Sequence, residues 1–143
     1  MAKVLANQLE KILHKCISEN QSAFLLERSI LDNAMIDIEV VHHMKVSKRV
    51  RDKNVALKSD ISKAYDIIYW LYLKEVMLKT GFTSKWVRWI MMCVEIVDNY
   101  VIVNKELVGP IIPGRGLRQG DPLSPYLFIL FVEGLSSLIR KAE

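Results

Sequence analysis

The chain has 143 residues, 20 Lys+Arg against 16 Asp+Glu and a formal net charge of +4, a length that fits one ordinary domain or part of a larger one. Hydrophobic residues make up 51%, and there are 6 Gly and 4 Pro, which excludes wholesale disorder and collagen-like or low-complexity chains. No uninterrupted apolar run is longer than Tyr126 to Val132, about a third of a membrane span, and Met1 to Gln8 lacks the apolar stretch of a secretory signal.

In chain order, Val4, Leu5, Leu9, Ile12, Leu13, Cys16 and Ile17 recur at helical spacing, which predicts an amphipathic helix over residues 3 to 17. Ser18 to Arg28 is mixed and polar, a loop or irregular strand. A second helix is predicted through Ile30, Ala34, Ile38, Val41 and Met44. It leads into a basic stretch in which Lys45, Lys48, Arg49, Arg51, Lys53 and Lys58 face one acid, Asp52. Such a stretch is either a solvated loop or an attractor of polyanions through counterion release. Val55 to Asp60 reads as a short strand ending on a carboxylate. Residues 63 to 80 read as a helix stopped by Gly81, which suits a left-handed cap. Thr83 or Ser84 can cap the next helix, whose apolar face is Trp86, Trp89, Ile90, Cys93, Val94 and Val97.

Tyr100 to Val103 and Leu107-Val108 then suggest two strands about a turn at Asn104-Lys105. A glycine-rich loop runs from Gly109 to Gly120. The last helix is expected near Pro125 with Ser124 as N-cap, because Pro125 has no N–H to place inside the ladder. The order α, α, β, α, α, ββ, α is an α+β arrangement, mostly helical with a few short antiparallel strands. Cys16 and Cys93 sit in apolar surroundings without metal-ligand spacing and read as reduced core residues of an intracellular protein.

Two segments offer chemistry. In Leu57-Lys58-Ser59-Asp60-Ile61-Ser62-Lys63-Ala64-Tyr65-Asp66, a helix would set Asp60 and Asp66 about 240° apart, unable to act together. At a strand end, Asp60 is either a ligand for a hard cation or an ordinary helix cap. The second segment, Gly114-Arg115-Gly116-Leu117-Arg118-Gln119-Gly120-Asp121-Pro122-Leu123-Ser124-Pro125, is neither a dinucleotide loop nor a P-loop. It offers glycines for close backbone approach and two guanidiniums for phosphate. A structural connector between hairpin and helix is the other reading.

Together these segments resemble the reverse transcriptase domain of non-LTR (LINE-type) retrotransposons, particularly the plant kind. Ile17-Ser18-Glu19-Asn20-Gln21-Ser22-Ala23-Phe24, the DISKAYD stretch from Asp60, Gly81-Phe82-Thr83-Ser84-Lys85-Trp86-Val87-Arg88-Trp89-Ile90 and RGLRQGDPLSPYLF from Arg115 to Phe128 carry the likeness, in the family's order. The resemblance implies the fingers and partial palm of a right-hand polymerase, with about 1–53 as fingers and 54–143 as partial palm. It implies RNA-templated DNA synthesis from deoxynucleoside triphosphates on an RNA template and DNA primer. The cofactor would be Mg²⁺, with Mn²⁺ a substitute, held by Asp60 as the catalytic palm aspartate. Tyr65 matches the residue under the sugar that excludes a 2′-hydroxyl; Ile61, Gln119 and Gly120 match positions beside the incoming nucleotide. Arg28, Lys63, Arg115 and Arg118 match positions that reach nucleic acid or phosphate.

The chain departs from the family pattern where Leu26-Glu27 replace Pro-Gly, Ile67 replaces Arg and Tyr69 replaces an acid. It also stops at Glu143, ahead of the family's tyrosine-x-Asp-Asp hairpin and thumb, so these palm and thumb segments are expected to be missing partners and the fragment inactive alone. The rival expectations are a non-catalytic nucleic-acid-binding remnant and a helical interaction domain using the Trp86/Trp89 stripe. The expected location is intracellular, nuclear or cytoplasmic, with no membrane partner.

Overall fold

The computed structural model describes residues 1–25, 28–46, 55–96 and 99–142. Among these described residues, five helices and one hairpin follow in the order α1 (Ala2–Leu13), α2 (Ile30–Val46), α3 (Trp70–Lys79), α4 (Ser84–Glu95), β1 (Asn99–Val103), β2 (Glu106–Ile111) and α5 (Ser124–Ala142). The mixed class expected from the sequence is present as helices and a two-stranded antiparallel sheet.

Four of the helices make the core. Leu5, Leu9 and Leu13 recur every fourth residue and bury one stripe of α1. That stripe meets α4 and α5, and α3 packs against the same two helices. Leu73 and Met77 from α3, Val87 and Ile90 from α4, and Leu127 and Leu130 from α5 are all buried in it. Burying each such side chain stabilises the fold by roughly 1.5–3 kcal/mol. The α1 helix ends earlier than its periodicity suggests. Lys15 and Cys16 donate to the carbonyls of Ile12 and Leu13, tightening the last turn into three-residue steps.

The predicted helix over 63 to 80 is a correction: it begins only at Trp70. Lys63 takes a left-handed φ of +51°, which a right-handed helix cannot contain. The carbonyls of Tyr65 and Ile68 accept hydrogen bonds from Leu117 and Gly116, not from a helical ladder. Tertiary partners therefore won over helical periodicity. The Val55 to Asp60 strand is a second correction. That segment is irregular, with Val55 87% and Leu57 90% exposed, and no strand among the described residues pairs with it.

Thr83 caps α4 as expected, its hydroxyl accepting from Trp86 N–H at 3.4 Å. The buried face of α4 is Val87, Ile90 and Met91, with Trp86 and Trp89 half-buried beside it; Val97 lies outside the described residues. The face turns because the indoles serve partly exposed roles. Trp86 stacks on Phe82 with centroids 5.0 Å apart, and Lys85 lies 5.1 Å above Trp89. In the hairpin, Asn104 and Lys105 both have positive φ, 52° and 72°, as a two-residue loop matched to strand twist requires. Ser124 is the first helical residue of α5, and its hydroxyl turns away to the Arg118 carbonyl at 2.6 Å, so it does not serve as the predicted N-cap. Pro125 still falls in the first turn, where its missing N–H costs nothing.

Candidate functional site

The two chemically suggestive segments are joined directly. Gly116 N–H donates to the Ile68 carbonyl and Leu117 N–H to the Tyr65 carbonyl, both at 2.9 Å. The Trp70 indole N–H donates back to the Gly116 carbonyl at 2.7 Å. Leu117 is buried and anchors the loop from below. The left-handed φ of Gly116, +92°, brings its backbone against this segment: an added Cβ would lie 3.4 Å from the carbonyl oxygens of both Tyr65 and Asp66.

The far end of the loop is equally fixed. Asp121 accepts from Leu123 N–H at 2.8 Å, and Ser124 holds the Arg118 carbonyl. Gln119 and Gly120 form the tip of a turn closed from Asp121 N–H to that same carbonyl, with Gly120 at φ +87°. The result is a strip hydrogen-bonded at both ends on which Arg115, Arg118, Gln119 and Gly120 are exposed. Beside it, Tyr65 is half-buried and stacks on Phe128 with centroids 5.3 Å apart and planes 21° from parallel. The Arg115 guanidinium stands 6.0 Å from the centre of the Tyr69 ring. Tyr69 thus supplies a π face where the family pattern has an acid.

Asp60 lies upstream of Tyr65 on the irregular segment, exposed to solvent; Ile61 is half-buried and Lys63 exposed. Arg28 stands apart from this strip in its bonding. Its guanidinium donates to the Ser18 carbonyl at 2.8 Å and to the Gln21 carbonyl, closing the loop between α1 and α2. Of the basic stretch, Lys45 and Lys58 are exposed, and Lys48, Arg49, Arg51 and Lys53 lie outside the described residues. Burial raises the Cys93 thiol pKa, and the Asp121 carboxylate pushes the same way against the opposing N-terminal charge. The two cysteines are free.

Among the described residues no group of three acidic, histidine or cysteine side chains is placed to hold a cation. Asp60 therefore offers a single carboxylate, and the described residues do not by themselves make a two-cation centre. Together they expose two guanidiniums, which pair with phosphates, beside a stacked tyrosine and an amide side chain at a turn. Phe128, Trp70 and Tyr69 complete this surface, and sequence reasoning did not assign them to the site. Only the aromatic spacing around the DISKAYD stretch and in the YLF triplet hinted at them.

Comparison with known proteins places the chain in a family. A family model described as reverse transcriptase (RNA-dependent DNA polymerase) matches residues 1–143. The chain is 29% identical over 141 residues to a Xenopus laevis protein, the transposon TX1 uncharacterized 149 kDa protein, covering 99% of the chain and 11% of that protein. It is 62% identical over 42 residues to an uncharacterized mitochondrial protein of Arabidopsis thaliana, covering 29% of the chain and 34% of the relative. It is also 29% identical over 138 residues to the retrovirus-related Pol polyprotein from the type-2 retrotransposable element R2DM of Drosophila melanogaster, covering 92% of the chain and 13% of that polyprotein. The chain thus spans a small part of each of these relatives. No solved structure matches it.

Proposed function

The chain belongs to the reverse transcriptase (RNA-dependent DNA polymerase) family, and we propose that it is the fingers and partial palm of a non-LTR retroelement polymerase of the plant LINE kind. The whole protein would copy RNA into DNA from a primer, using deoxynucleoside triphosphates. The observation that carries this reading is the docking of the Arg115–Gly120 strip onto Tyr65–Trp70 through three hydrogen bonds. It unites two family motifs distant in sequence on one exposed face.

On this reading residues up to about 53 are fingers and those from 54 are palm. Asp60 contributes one carboxylate to the divalent cations that the family uses, Mg²⁺ by preference. Such cations supply positive charge to the attacking and leaving oxygens of an in-line phosphoryl transfer. The chain's own residues hold and orient the reactants. Tyr65, fixed by Phe128, presents its ring edge to the sugar and leaves no room for a 2′-hydroxyl. Ile61, Gln119 and Gly120 flank the incoming nucleotide, Gly120 permitting close approach because it carries no side chain. Arg115, Arg118 and Lys63 meet phosphates. Arg28 organises the fingers loop and reaches the template through it.

The exposed Arg115 and Arg118 also support a second reading, a non-catalytic nucleic-acid-binding remnant that uses the same strip. Photo-crosslinking tests the shared premise. A template–primer carrying 5-iodouracil near the primer end is irradiated with the protein, and the adducts are mapped by mass spectrometry. We expect adducts at Tyr65, Tyr69 or within Arg115–Gly120. Adducts confined to Trp86 and Trp89 would contradict the placement.

A further inference from the structure

Tyr69 is 60% exposed, so its ring fills no place in the core, yet its backbone is held on both sides. The residue before it, Ile68, is buried and accepts from Gly116 N–H at 2.9 Å. The residue after it, Trp70, donates its indole N–H to the Gly116 carbonyl at 2.7 Å. Tyr69 itself leads into α3 with extended backbone, φ −76° and ψ 121°, and its carbonyl accepts from Leu73 N–H at 3.0 Å. Both neighbours of Tyr69 thus hold the residue next to Arg115. These bonds set the ring and the guanidinium side by side, with Arg115 Cζ over the ring at 6.0 Å from its centre, the reach of a cation–π contact.

The two arginines of the strip differ in what holds them. Among the described residues neither pairs with a carboxylate; the ion pair there joins Arg140 to Glu133. Arg118 is fixed through its carbonyl, which accepts from the Ser124 hydroxyl at 2.6 Å, and its side chain is exposed. Arg115 is the one with an aromatic ring beside its guanidinium.

A free arginine side chain loses rotamer freedom when a phosphate captures it, and that loss weakens binding. A guanidinium already resting on a ring has given up part of this freedom before the ligand arrives. A carboxylate in the ring's place would also hold the guanidinium, but it would occupy the N–H fork and offset the charge. The ring leaves both the charge and the fork's edges available to a phosphate.

We infer that Tyr69 is a positioning residue, which pre-orients the Arg115 guanidinium for a backbone phosphate of single-stranded nucleic acid and leaves Arg118 unaffected. On the reading of the Arg115–Gly120 strip as a nucleic-acid surface, on which this rests, the strip carries one preset phosphate contact and one adaptable contact.

Anisotropy titrations of the 143-residue chain with a fluorescein-labelled oligouridylate over a range of salt concentrations test this. Tyr69→Ala should weaken binding roughly two- to tenfold, the cost of immobilising one long side chain. Its log–log salt slope should stay unchanged, because no charge is removed. Tyr69→Phe keeps the ring and should bind within about twofold of the unmodified chain. Added to Arg118→Ala, Tyr69→Ala should weaken binding by the same factor as alone. Added to Arg115→Ala it should have no further effect, because its partner is gone. Three results would overturn the inference and leave the strip a nucleic-acid surface: Tyr69→Ala without effect, an equal effect in both arginine backgrounds, or Tyr69→Phe as weak as Tyr69→Ala. An unmodified chain that fails to bind the oligouridylate at low salt would overturn the inference and the underlying reading together.

Discussion

At Gly116 the backbone holds φ +92° with the Tyr65 and Asp66 carbonyl oxygens against the vacant Cβ position. Any L side chain there adopts a strained left-handed conformation and presses on the segment that carries the site. Gly116→Ala should therefore lower stability by about 1–2 kcal/mol, read as an earlier urea midpoint at unchanged slope. An unmoved midpoint would show that the loop does not depend on this approach. The resemblance singled out Gln119 and Gly120 as positions beside a nucleotide and Arg115 and Arg118 as phosphate contacts. Nothing in the sequence made Trp70 legible as the donor that fastens Gly116. That bond exists only because two distant segments meet, and neither segment's periodicity encodes the meeting.

Between α3 and α5 the close approach at Gly134 leaves the Tyr72 hydroxyl buried without a hydrogen-bond partner among the described residues, while its ring meets Phe131 edge-on at 5.1 Å. Burial raises the Tyr72 pKa, as expected for a phenol shielded from water. Tyr72→Phe keeps the ring packing and removes an unpaired polar atom, so it should raise stability by about 1 kcal/mol. A decrease measured by the same denaturation would mean that the hydroxyl has a partner. Element by element, local rules succeeded where they acted alone. The Thr83 cap, the Asn104-Lys105 turn and the extent of α2 all follow from side-chain chemistry within a few residues. They failed at Val55–Asp60 and over residues 63–69. There, backbone hydrogen bonding was decided by what did or did not lie alongside: no partner strand for the first, the Gly116–Leu117 amides for the second.

Across the whole molecule, the core of four helices supports two exposed apolar features: α2, and a hairpin whose residues are exposed on both faces. No helix among the described residues is long and apolar enough to cross a membrane. The proposed chemistry requires several carboxylates around the cations, and Asp60 supplies one. The purified 143-residue chain should therefore give no template-dependent primer extension with Mg²⁺ or Mn²⁺. Incorporation that disappears on Asp60→Ala would show that the chain assembles a working centre unaided.

The central claim is that the Arg115–Gly120 strip is a nucleic-acid surface, and a salt-dependent binding titration reaches it most directly. Fluorescence anisotropy with labelled single-stranded RNA should show weak, sequence-independent association at low salt that falls steeply as salt rises. Replacing both Arg115 and Arg118 with Ala should reduce the log–log slope by about 0.7 for each phosphate that the protein then leaves unneutralised. Asp60→Ala should leave that slope unchanged and bind equally or slightly more tightly, because it removes an anion. No association at low salt, or a double variant indistinguishable from the unmodified chain, would contradict the account.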